Sequence, residues 1–135
     1  MDAVEILRQS ALFSQFDDAT LRRLAEPFSE VEFPATRVLI EPRMPGAGLF
    51  VISEGTVVVE AGGLRRELGP GEVVGEISLV DEDGSRRARV VAKTPVRCLA
   101  LGRADFERML AEQPELDAAV RELADKRLQE LGEDT

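Results

Sequence analysis

The sequence predicts an antiparallel β sandwich or barrel held between helices at both ends, and three observations predict it. Apolar residues keep a helical spacing as far as Pro27, switch to alternation at Ser29, and return to helical spacing after Gly102. Between those switches, Gly and Pro punctuate about seven short apolar runs, the signature of an antiparallel all-β core. No low-complexity linker or internal repeat divides the chain, so residues 1–135 read as a single domain. Its parts are N-terminal helices over 1–28, a β region over 29–101 and C-terminal helices over 103–131.

Val4, Leu7, Ala11 and Leu12, with Ile6 alongside, recur at helical spacing behind Asp2, which stands where an N-cap would. Phe13 and Phe16 occupy a short connection. Asp17 or Asp18 then caps a second helix carrying Leu21, Leu24 and Ala25, and Pro27 closes it. Val31 and Phe33 alternate with charged residues until Pro34, and Val38 to Ile40 form the next strand. Pro45 to Gly48 reads as a turn, followed by the strongly apolar run Leu49 to Ser53 and, past Gly55, the Val-rich run 56–61. Gly62-Gly63 has the length and composition of a hairpin turn, from which Leu64 to Leu68 returns. Gly69-Pro70-Gly71 turns again before Val73-Val74. The last strands are 87–93 and 96–101, separated by Thr94-Pro95. Ala104, Phe106 and Leu110 mark a helix that stops before Pro114. A longer helix then carries Leu116, Val120, Leu123, Ala124, Leu128 and Leu131 on one stripe until Gly132. The segment Val120-Ala124-Leu128-Leu131 can pack on the chain's own barrel or on a second copy.

Composition excludes several functions. The net charge is −9 with no histidine, which opposes nucleic-acid binding through phosphate neutralisation. A single phosphate remains within reach of a local Arg cluster, because distant charges are screened beyond about 8–10 Å. Without histidine the chain lacks the commonest general base and metal ligand, and no nucleophile–base pair, metal constellation or Walker-type loop is visible. No catalytic residue and no metal are therefore assigned. No apolar run approaches the ~20 residues that span a bilayer, and nothing at the N-terminus reads as a signal peptide. The one cysteine, Cys98, fits a reducing cytoplasm and sits in an apolar run as a small buried hydrophobe rather than a reactive thiol.

The chemistry concentrates between Gly75 and Ala92. A strand reaches Gly75, where a missing side chain would let a ligand approach the backbone. Glu76-Ile77-Ser78-Leu79 can start a helical turn whose free N–H groups suit an anion, with Ile77 and Leu79 as anchors. A carboxylate at Glu76 can accept a sugar hydroxyl, and an Arg ten positions on supplies a planar donor fork for phosphate oxygens. Each piece alone is common, and Glu with Arg can equally form a structural ion pair.

Taken together, Gly75-Glu76-Ile77-Ser78-Leu79, the loop, and Arg86-Arg87-Ala88-Arg89-Val90-Val91-Ala92 closely resemble the phosphate-binding cassette of the cyclic nucleotide-binding domain family. Leu12-Phe13, Leu49 to Ile52 with Gly55, Gly69-Pro70-Gly71-Glu72, and Phe106 with Pro114 extend the resemblance over nearly the whole chain. It implies an antiparallel β-roll or jelly roll (a double-stranded β-helix) with the cassette over 75–92. It further implies that Arg86 pairs with the exocyclic phosphate and Glu76 with the ribose 2′-hydroxyl. Gly75, Ile77 and Ser78 would offer backbone near the sugar and phosphate, Ala88 room for the ring, and Val59 an apolar contact to the base. Arg127 or Leu131 would lie near the base as a lid. The implied ligand is a 3′,5′-cyclic nucleotide, cAMP ahead of cGMP, with no further cofactor. The implied role is a regulatory module whose output comes from a homodimer through the last helix or from an effector protein, without nucleic acid or membrane.

Arg87 departs from the family, which prefers a small residue there. It can add a second cation, point outward, or be the phosphate ligand in a register shifted by one. Arg86 is favoured because Ala88, Val90 and Ala92-Lys93-Thr94 then fall on family positions. The same departure supports an alternative, a domain of this fold that binds no nucleotide and acts as an interaction scaffold. Pro42-Arg43-Met44 replaces a Gly-containing turn, and Asp81 to Gly84 resembles a fragment of a calcium loop that nothing downstream completes. The chain stops at Thr135, where regulators of this family continue into a helix-turn-helix, so it reads as a stand-alone domain.

Overall fold

The computed structural model of the chain describes residues 2–41, 48–61, 63–75 and 88–132, the side chains of Leu128, Leu131 and Gly132 excepted. Helix α1 spans Ala3–Gln9, and Asp2 caps it by accepting a hydrogen bond from the Glu5 N–H at 2.9 Å. It is shorter than the apolar spacing to Leu12 suggests. The Ser10 N–H turns back to the Leu7 carbonyl and ends the helix, and Leu12 reaches the core from the turn that follows. Helix α2 spans Asp18–Ala25 with Asp17, not Asp18, as its cap, its carboxylate accepting from the Thr20 N–H at 2.8 Å.

Eight strands follow among the described residues: β1 Ser29–Phe33, β2 Val38–Ile40, β3 Leu49–Glu54, β4 Val57–Ala61, β5 Leu64–Leu68, β6 Val73–Val74, β7 Arg89–Ala92 and β8 Val96–Leu101. Helices α3 Arg103–Glu112 and α4 Pro114–Gly132 close the chain. The strands form two four-stranded sheets, ordered β1-β8-β3-β6 and β2-β7-β4-β5, and every pair is antiparallel. This is the expected jelly roll with helices at both ends.

The unbroken apolar run of β3 has a two-sided cause. Leu49 and Val51 point into a core shared with the helices, against Leu7, Leu21, Phe106, Leu116 and Val120. Phe50 and Ile52 point the other way, into the roll, against Val57, Leu68, Val90 and Cys98. Strand β8 divides likewise, Leu99 and Leu101 to the helices, Val96 and Cys98 to the roll. Sheet β1-β8-β3-β6 is thus the middle layer of three, and alternation is hidden because both faces are dry. Cys98 is the buried hydrophobe its surroundings suggest, and burial pushes its thiol up to about 12.

Of the stripe on α4, Leu116, Val120 and Ala124 are fully buried by this chain itself, and Leu123 is half-buried against the same core. Leu128 and Leu131 lie outside the described side chains. The turn at 45–48 falls outside the described residues except for Gly48, as do the calcium-like fragment at 81–84 and the Pro42-Arg43-Met44 variation.

Candidate functional site

Strand β6, at the edge of the middle sheet, delivers the chain to Gly75. There φ is +105°, and a Cβ would stand 2.4 Å from the Gly48 carbonyl oxygen. The demand for glycine therefore comes first from the chain's own backbone, since an L side chain would meet both the wrong φ and a fixed atom. Gly48 in turn is tied to the last strand by its N–H, which donates to the Leu101 carbonyl at 3.1 Å. The description resumes at Ala88, half-buried at the head of β7. Strand β7 lies in the outer sheet, between β2 and β4. The two described ends of the candidate segment thus belong to different sheets. Glu76, Ile77, Ser78, Leu79, Arg86 and Arg87 lie outside the described residues, and so do the helical turn and the anchors expected there.

Val59 sits on β4, half-buried beside the roll interior. In the ladder it stands opposite Val90 of β7 on one side and Arg66 of β5 on the other. Directly opposed residues share a face, so Val59, Val90 and Arg66 project to the same side of the outer sheet. That side is the interior of the roll, where Val90 is buried.

Helix α4 crosses close to this face. The Arg127 guanidinium donates from Nη1 to the Val73 carbonyl at 2.7 Å, two residues before Gly75. Three residues along, on the same helix face, Glu130 pairs with Arg66. Between β5 and α4 lies a cavity of about 300 Å³, lined by Arg66, Glu67, Leu68 and Glu72 from the roll side and Leu123, Lys126, Arg127 and Glu130 from the helix. Glu67 is held by Lys93 at 2.7 Å, an interaction that lowers its pKa, and Glu72 accepts from the Gly69 N–H at 2.8 Å.

The structure therefore brings Arg127 to the neighbourhood of Gly75, but fastened to backbone. It puts Val59 on the same face as a residue that lines the cavity, not on the lining itself. Arg66 and Glu130 were not singled out by the sequence, and Glu72 entered only within the family-like run Gly69-Pro70-Gly71-Glu72. A signal for Arg66 existed: a two-residue turn at Gly62-Gly63 pairs Ala61 with Leu64 and therefore Val59 with Arg66. Glu130 and the Val73 carbonyl carry no comparable signal. Among the described residues no cluster of metal-ligating side chains occurs, and no helix is long and apolar enough to cross a membrane.

Comparison with known proteins agrees with this architecture. Residues 30–113, well over half of the chain, match the family model described as the cyclic nucleotide-binding domain. A cAMP-dependent protein kinase regulatory subunit from Aspergillus fumigatus is 32% identical over 111 residues, covering 77% of this chain and 26% of the relative. A cyclic nucleotide-gated potassium channel from Rhizobium etli is 32% identical over 113 residues, covering 84% of this chain and 32% of the channel. This chain thus matches only about a quarter to a third of the length of those relatives. Among solved structures, the catabolite activator protein of Thermus thermophilus superposes with a TM-score of 0.76 at 27% identity, over 93% of this chain and 61% of that one.

Proposed function

From the premise that this chain belongs to the cyclic nucleotide-binding domain family, we propose that it is a regulatory module that binds a 3′,5′-cyclic nucleotide, cAMP in preference to cGMP, through residues 75–92. The observation that carries the reading is the family match over residues 30–113, which runs through the whole of that segment. The name of the fungal relative, a cAMP-dependent protein kinase regulatory subunit, favours cAMP.

In this reading Arg86 holds the exocyclic phosphate with its planar fork, and Glu76 accepts the ribose 2′-hydroxyl. Gly75, Ile77 and Ser78 present backbone to the sugar and phosphate, Ala88 leaves space for the ring, and Val59 meets the base. Binding does no chemistry. It shifts a population between states in which the cassette and α4 stand differently, by as much as the ligand's affinities for the two states differ. The output passes to an effector protein or a second copy in the cytoplasm, with no part for nucleic acid or membrane.

Calorimetric titration with cAMP and cGMP tests the reading. Saturable binding below millimolar ligand, abolished by Arg86→Ala, is the expected result. Loss of binding in Arg87→Ala but not in Arg86→Ala would move the phosphate contact by one residue. Absence of binding by the native chain at millimolar ligand would favour the scaffold reading, which the large residue at Arg87 supports.

A further inference from the structure

We propose that the outer face of sheet β2-β7-β4-β5 docks a second copy of this chain about a twofold axis parallel to its strands. The proposal rests on the fold alone and stands whether or not the chain binds a nucleotide. The helices pack on the other sheet, through Leu49, Leu99 and Leu101. Val57, Val90 and Ala92 point into the roll, so Val58, Glu60, Arg89, Val91 and Lys93 project from the outer face. In the ladder Glu60 stands between Arg89 of β7 and Arg65 of β5, and Glu41, next after β2, pairs with Arg89 at 2.8 Å. The charge across the sheet thus alternates: Glu41, Arg89, Glu60, Arg65. Glu60 and Arg65 are exposed and make no ion pair with a described residue. Beside this row Val91 and Val58 stand opposite each other, and the Lys93–Glu67 pair at 2.7 Å bounds them on the far side. These charges balance, three of each sign, in a chain whose net charge is −9.

Such a row is complementary to its own reverse. A twofold axis along the strands, between β7 and β4, reverses the strand order of the second copy and keeps each row level. Glu41 and Arg89 of one copy then face Arg65 and Glu60 of the other, and symmetry repeats both contacts. The pair already joined in one copy meets the two charges left uncommitted in the other. Val91 meets Val58 at the axis, with the sheets about 10 Å apart as in a β sandwich. An axis across the strands, centred on the same valines, would instead set Arg89 against the second copy's Lys93, like against like. Repulsion between the two acidic chains is screened beyond about 8 Å at physiological salt, and the paired charges lie within that reach. On α4, by contrast, Leu116, Val120 and Ala124 are already occupied by the chain's own core.

Sedimentation velocity of the full chain over a concentration series tests the proposal. Native protein is expected to dimerise, and high salt to weaken the dimer. Glu60→Arg brings like charges together twice per dimer, and so does Arg89→Glu. Each alone should raise the dissociation constant by roughly tenfold or more. In a mixture of the two variants, however, one copy of each puts opposite charges back at both contacts. The mixture should recover a heterodimer of near-native affinity, an effect that misfolding of either variant cannot produce. A native monomer at every concentration would overturn the proposal. So would a dimer indifferent to both substitutions, or a mixture that associates no better than its separate components.

Discussion

At Gly75 a single hydrogen decides whether β6 can end where it does. Alanine there would hold φ near +105° against its steric preference and press a methyl carbon to 2.4 Å from the Gly48 oxygen. Gly75→Ala is therefore expected to cost about 2 kcal/mol or more, read as a lowered urea midpoint without any ligand present. A substitution that impaired nucleotide binding alone would leave that midpoint where it was. Thr36 presents the opposite case. It is a β-branched, exposed residue at φ +74°, kept there by its N–H donating to the Ala92 carbonyl at 2.7 Å. The left-handed conformation costs an L-residue roughly 1–2 kcal/mol, part of which glycine gives back through its freer unfolded chain. Thr36→Gly should accordingly raise stability by about 0.5–1 kcal/mol in the same urea titration. Equal or lower stability would show that the turn is not strained.

At the scale of elements, caps and registers decide where each segment starts. Asp17 accepts the Thr20 N–H at 2.8 Å, and that bond, with a further contribution from the Thr20 side chain, holds its carboxyl below the ordinary 3.8. A depressed folded-state pKa contributes stability that is complete above the unfolded value and is lost as pH falls through the folded one. The helix α2 cap should thus weaken on acidification below the usual carboxylate range. Asp17→Asn, which caps without titrating, should flatten that part of the acid profile measured by urea midpoints against pH. An unchanged acid slope in the variant would remove Asp17 from the account. These local devices were largely legible in the sequence. Asp2 announces its helix, the Asp17-Asp18 pair announces the next without saying which of the two caps it, and alternation marks β1. The Gly62-Gly63 dipeptide signals a hairpin in the sequence, and the observed register, Ala61 opposite Leu64, puts Arg66 beside Val59. What could not be read has a common cause. The Leu49 to Ile52 run looks uniformly apolar because its two faces enter different cores, and only tertiary packing separates them. The attachment of Arg127 to the Val73 carbonyl, across 54 positions, uses a backbone atom that every residue possesses. The candidate ligands Glu76 and Arg86 were named from the cassette motif alone and lie outside the described residues.

For the whole molecule, the two cores share one wall. Strands β3 and β8 supply both, so the roll cannot loosen without disturbing the surface on which the helices pack. Cys98 reports on that wall, since its buried thiol is held far above neutral pH. It should resist a thiol reagent in native protein and become reactive in step with global unfolding, measured by labelling across a urea series. Labelling well before the transition would mean that the roll opens separately from the helices. The position of β8 also sets a timetable. It lies between β1 and β3, pairing Ser29 with Ala100 and Leu49 with Leu101. A nascent chain emerging from the ribosome consequently holds β1 and β3 without the strand that joins them until residues 96–101 are made. Until then β3 has only the two-residue strand β6 to pair with, and β1 has no partner in the sheet.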